Sequence, residues 1–116
     1  MNTYLMVATL KPEDVEKYRQ MHKTCHQTQY SDQLDAIRAC GCKQMQTFLW
    51  KNYSLLYAEC ECTIEEFFDA LSKTDANIKW SSVTGPWFDP QHNDFLPPLE
   101  KIFDLEQQLH GELKPF

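Results

Sequence analysis

Between Leu55 and Cys62 the chain alternates without a break. Leu56, Ala58, Cys60 and Cys62 fall on one face, and Tyr57, Glu59 and Glu61 on the other. A period of two puts successive side chains on opposite sides of an extended strand, so this segment belongs in a sheet with one side against a core. The flanking residues tighten the constraint. Lys51-Asn52-Tyr53-Ser54 reads as a hairpin turn, because Asn tolerates positive φ, and Cys42 to Trp50 reads as the partner strand. Thr63-Ile64-Glu65-Glu66 has the spacing of a capping box, which predicts a helix to about Ser72. A further helix, with Asp75 as its cap, runs through Lys79, Trp80 and Val83 to a stop at Gly85-Pro86.

The first half of the chain supplies the matching parts. Tyr4 to Leu10 is an aliphatic, strand-length run, and Pro12 suits the first turn of the helix that follows, with Glu13 and Asp14 at its positive end. Val15, Tyr18 and His22 share one face of that helix, and the polar segment from Lys23 to Gln29 interrupts it. A second helical piece runs from about Ser31 to Cys40, capped by Ser31 or Asp32 and closed by Gly41 in a left-handed turn. Pro90 to Pro98 reads as an irregular loop and Lys101 to Leu105 as a short last strand. The order strand, helix, strand, strand, helix, strand predicts an α+β fold of the ferredoxin-like, split βαβ kind. It has a four-stranded antiparallel sheet with helices on one face. Residues 1–106 form one such domain, and 107–116 a polar C-terminal tail. The open sheet face is expected to be covered by a second copy, giving a dimeric α+β barrel, or to line a ligand pocket.

Composition limits the function. The 116 residues carry a net charge of −6, which disfavours a nucleic-acid partner, and no apolar run is long enough to cross a membrane. The first residues, Met1-Asn2-Thr3-Tyr4, do not look like a secretory leader. Five cysteines with no such leader point to free thiols in a reducing compartment, the cytoplasm. Cys40-Gly41-Cys42 and Cys60-Glu61-Cys62 are spaced too closely for a usual zinc pair, and are read as small buried hydrophobes with no metal.

Tyr18 and His22 carry the chemistry. Four residues apart on a helix, a phenol and an imidazole lie one turn apart and can hold a hydroxylated ligand and move a proton on it. His26, one turn further, is read as solvated. Trp50, Trp80 and Trp87 are candidates for stacking on the apolar face of a ligand, with Trp50 better suited to packing or a dimer contact.

The ordered motifs resemble the L-rhamnose mutarotases, small dimeric enzymes of ferredoxin-like fold. They comprise Leu10-Lys11-Pro12 leading to Tyr18-Arg19-Gln20-Met21-His22, then Leu55-Leu56-Tyr57-Ala58, then Ser72-Lys73-Thr74-Asp75 leading to Trp80. The series closes on Leu99-Glu100-Lys101-Ile102-Phe103-Asp104-Leu105, so the likeness spans residues 3–106. The resemblance implies exchange of the α and β anomers of a deoxy sugar, L-rhamnose or a relative such as L-fucose, by general acid–base ring opening without a cofactor. It implies His22 as the general acid, with Tyr18 and Trp80 binding the monosaccharide. The family's second binding tyrosine falls on Met45, and the second aromatic of its Trp-Trp pair falls on Ser81, for which Trp87 is a candidate replacement. The pocket is expected on the open side of the sheet. Two alternatives stay open: an oxygenase or lyase of the dimeric α+β barrel type, and a non-catalytic sugar-binding or interaction module on the same scaffold.

Overall fold

A computed structural model of the chain describes residues 1–91 and 98–111. Three strands, β1 (Asn2–Thr9), β2 (Cys42–Trp50) and β3 (Tyr53–Cys60), form an antiparallel sheet in the order β1-β3-β2. The alternating segment is therefore central. It pairs Met6 with Leu56 and Tyr4 with Ala58 on one side, and Thr47 with Leu56 and Met45 with Ala58 on the other. Five helices are described: α1 (Val15–Lys23), α2 (Asp32–Ala39), α3 (Ile64–Ser72), α4 (Asp75–Thr84) and α5 (Leu105–Leu109).

Local chemistry sets the boundaries. Pro12 opens a short 3₁₀ turn that leads into α1. At α3 the capping box closes, with Glu66 N donating to Thr63 Oγ1 (3.1 Å) and Thr63 N to Glu66 Oε1 (3.2 Å). At α4 the cap is Thr74, whose hydroxyl accepts from Asn77 N at 3.1 Å; Asp75 is the first helical residue rather than the cap. Ser31 stands at the start of α2 without a side-chain cap bond. Gly41 takes φ +104° between α2 and β2, as its placement predicts, and Cys62 Sγ lies 3.1 Å from where a Cβ would sit.

The hairpin between β2 and β3 is tighter than expected, and Lys51, not Asn52, adopts the positive φ (+56°). Asn52 is committed elsewhere. Its carbonyl accepts from Leu10 N (2.8 Å) and its side chain donates to Leu10 O (2.9 Å), which ties the turn to the end of β1. Tyr53 and Ser54 therefore belong to β3, and Ser54 is fully buried.

α3 presses Ile64, Phe67 and Leu71 onto Met6, Cys42, Leu56, Ala58 and Cys60, and these residues form the core. Each such side chain contributes roughly 1.5–3 kcal/mol on burial. The opposite sheet face carries Leu5, Val7, Phe48, Trp50, Tyr53 and Leu55; Phe48 is 55% and Trp50 61% exposed.

The expected fourth strand does not form. Leu99 N donates to Leu5 O (2.8 Å), so the chain touches the outer edge of β1, but 101–104 have no regular structure and Leu105 begins α5. Asp104 explains the change: its carboxylate accepts from Gln107 N (3.2 Å) and pairs with Lys101 (3.3 Å), local bonds that start a helix. Ile102 is left 80% exposed. Most of the Pro90–Pro98 loop lies outside the described residues.

Candidate functional site

A cleft of about 850 Å³ opens between the helix-covered face of the sheet and α1, α2 and α4. It lies opposite to expectation, on the face lined by Met6, Met45, Thr47 and Leu56 rather than the open one. The physical reason is that β2 extends beyond the cover given by α3. Its inward residues, Met45 and Thr47, reach only half-burial and form a floor instead of a core.

Tyr18 and His22 meet in this cleft. The periodicity of α1 stacks them, with ring centroids 4.0 Å apart and a tilt of 36°. The Tyr18 hydroxyl is 2.7 Å from Ser54 Oγ on β3, both groups buried, so the phenol is fixed by the sheet. Burial pushes the Tyr18 pKa above its usual 10, against the opposing pull of the Ser54 hydrogen bond. His22 Nδ1 lies 2.8 Å from the backbone carbonyl of Tyr18. A carbonyl only accepts, so Nδ1 carries the proton and Nε2 holds the free lone pair. Burial lowers the His22 pKa below 6.5, opposed by that same carbonyl. The imidazole therefore rests neutral at pH 7, with Nε2 ready to take a proton.

Trp80, on α4, meets His22 edge-on at 5.2 Å and Tyr30 at 6.3 Å. Lys79 holds α4 to α2 by donating to Asp32 Oδ2 (3.0 Å) and Gln29 O (2.8 Å). Met45 and Ser81 also line the cleft. Trp87 is not among its lining residues; its carbonyl accepts from Lys11 N at 2.9 Å, and the neighbouring Phe88 faces Tyr18 edge-on at 5.8 Å instead. His26 is exposed in a 3₁₀ turn, and Asp75 is exposed at the start of α4. Trp50 stacks on Tyr53 at the hairpin, at 5.9 Å, on the open face.

Among the described residues, no three His, Cys, Asp or Glu side chains gather as a metal site. Cys42 and Cys60 face each other across β2 and β3, and burial, with Cys42 beside it, pushes the Cys60 thiol up to about 12. Such a thiol stays protonated and packs as core.

Sequence reasoning missed Ser54, Phe88, Gln33 and Asn77. Ser54 was legible in principle, because continuing the alternation of Leu56 and Ala58 back by one step places it inward. Gln33 and Asn77 carried no signal, since polar residues on two separate helices announce nothing until the helices meet.

A three-stranded sheet, helices on one face and an aromatic cleft with a tautomer-fixed imidazole define a small α+β protein of ferredoxin-like fold. The matches are consistent with that class. L-rhamnose mutarotase from Formosa agariphila superposes with a TM-score of 0.67 at 14% identity, covering 90% of this chain and 98% of that one. Tetracenomycin F2 cyclase from Streptomyces glaucescens, a type-II polyketide cyclase, gives 0.60 at 15% identity over 90% and 96%. A candidate antibiotic biosynthesis monooxygenase from Nitrosomonas europaea gives 0.58 at 13% over 87% and 89%. At these identities the likeness shows the fold alone. No curated protein matches the chain. The family described as L-rhamnose mutarotase matches residues 3–105, and the chain belongs to that family.

Proposed function

We propose that the protein is a sugar mutarotase exchanging the α and β anomers of a deoxy monosaccharide, L-rhamnose or a close relative such as L-fucose, with His22 as the group that carries the proton. The observation that supports this best is the hydrogen bond from His22 Nδ1 to the Tyr18 carbonyl, which leaves Nε2 as the reactive nitrogen beside Trp80. Nε2 accepts the proton of the anomeric hydroxyl. The C1–O5 bond opens as C1=O1 forms, and the imidazolium so made protonates O5. Rotation about C1–C2 and the reverse steps give the other anomer. Both oxygens are bonded to C1, so one imidazole serves both. The general acid expected at His22 is thus produced within the cycle rather than present at rest.

Tyr18 and Trp80 supply aromatic walls for the sugar, with Met45 and Ser81 beside them. The five free thiols suit a cytoplasmic setting. The apolar open face suits a homodimer.

The test is exchange NMR on a panel of deoxy sugars. General acid–base help is worth about 10²–10⁴-fold, so His22→Ala is expected to lower exchange by that factor, to the unaided rate. Equal exchange with either protein for every sugar removes the enzymatic reading. The second reading, a sugar-binding module without catalysis, is favoured by Met45, whose thioether cannot donate a hydrogen bond in the cleft. Binding without accelerated exchange selects it.

A further inference from the structure

Gln33 stands in the first turn of α2, lines the cleft and is 4% exposed. Its Nε2 donates to Asn77 Oδ1 on α4 at 2.8 Å, and Asn77 lines the cleft too. Its Oε1 is buried with no hydrogen-bond partner among the described residues. A buried acceptor left unpaired pays its full desolvation penalty with no bond in return. A clamp between α2 and α4 accounts for the Nε2 bond but not for the orphaned oxygen, and the Lys79–Asp32 pair already joins these helices.

The geometry points to a hydroxyl-binding subsite formed by the Gln33 amide, which reads one ring hydroxyl of the bound monosaccharide away from its anomeric carbon. This rests on the sugar reading above. Two observations support it. First, turning both amides end for end would let Asn77 donate to Gln33, and Gln33 would then present an unpaired N–H instead of an unpaired oxygen. A sugar hydroxyl both donates and accepts, so it satisfies either arrangement. Second, Asn77 and Trp80 are three residues apart on α4, hence neighbours on one helical face. One turn is about 5.4 Å, the scale that separates the anomeric end of a pyranose, placed at His22, from its far hydroxyls.

The subsite predicts discrimination by hydroxyl position. The experiment is titration calorimetry of the wild type and Gln33→Met with L-rhamnose as the parent sugar and with its analogues lacking the hydroxyl at C2, C3 or C4. Wild-type protein is expected to bind one analogue at least tenfold more weakly than the parent. In Gln33→Met, of similar length but without a polar amide, that ratio is expected to fall to about twofold. Asn77→Asp can only accept from Gln33, keeps the Gln33 amide in its present orientation and is expected to retain the discrimination. If Gln33→Met does not fold, Asn77→Leu, which unties the amide from α4, takes its place with at least a fivefold loss of discrimination expected. A merely structural Gln33 would lower melting temperature and leave the analogue ratios unchanged, and that result overturns the subsite. Binding is read without reference to exchange, so sugar bound with unaltered ratios sinks this inference alone. Absence of binding to any sugar in the wild type sinks it together with the mutarotase reading.

Discussion

At the scale of single residues, hydrogen bonds fix the Tyr18 hydroxyl and His22 Nδ1 in the cleft and leave His22 Nε2 uncommitted. His22 is neutral at rest because burial outweighs the carbonyl that faces Nδ1. Catalysis that begins with proton uptake at Nε2 is therefore expected to hold its rate as pH drops to about 6.5, the ordinary imidazole value, and to fall only as pH passes through the lower value in the folded protein. A pH–rate profile by exchange NMR checks this. Linkage gives the same sign for stability. With the folded value depressed, the unfolded chain binds more protons between the two values, so the contribution is complete above about 6.5 and lost as pH falls. Tyr18 makes a separate prediction. Tyr18→Phe leaves the Ser54 hydroxyl buried without its partner, at an expected cost of about 1–3 kcal/mol in urea denaturation. Adding Ser54→Ala should recover part of that loss, because removing both partners leaves no orphan.

The elements show why some boundaries could be read and one could not. The start of α3 follows from the Thr63–Glu66 box, whose bonds lie within four consecutive residues. The end of α2 follows from Gly41. An alanine there meets both the left-handed backbone and Cys62 Sγ, and Gly41→Ala is expected to cost about 1–2 kcal/mol, measurable as a lowered melting temperature with the cleft intact. The stretch from Lys101 to Leu105 has the composition of a strand, yet it lacks a full row of bonds to β1, and Asp104 turns it into a helix start. Strand formation depends on an edge elsewhere in the chain, whereas a cap depends on residues three apart, so the local signal prevailed. The hairpin shows the same competition. Asn52 was the natural residue for positive φ, but its hydrogen bonds to Leu10 moved that role to Lys51.

At the scale of the whole molecule, the open sheet face with Phe48, Trp50 and Leu55 is the surface on which a second copy is expected. Phe48→Asp should convert a dimer to a monomer in sedimentation velocity, leaving the helix-side cleft unaltered; an unchanged mass removes this face as the interface. Tyr18 and His22 were legible because helical periodicity alone places them one turn apart, and the α+β class because alternation and capping are local patterns. The sequence by itself determined that the segments of β1, β2 and β3 extend, that those of α1 to α4 coil, and that a phenol and an imidazole share a helix face. Only tertiary structure decided that the cleft lies under the helices, that Ser54 holds the phenol, that Phe88 rather than Trp87 faces Tyr18, and that Gln33 meets Asn77. Each of these depends on contacts between segments far apart in the chain. Such contacts are set by how the helices settle on the sheet, and no window of neighbouring residues encodes them.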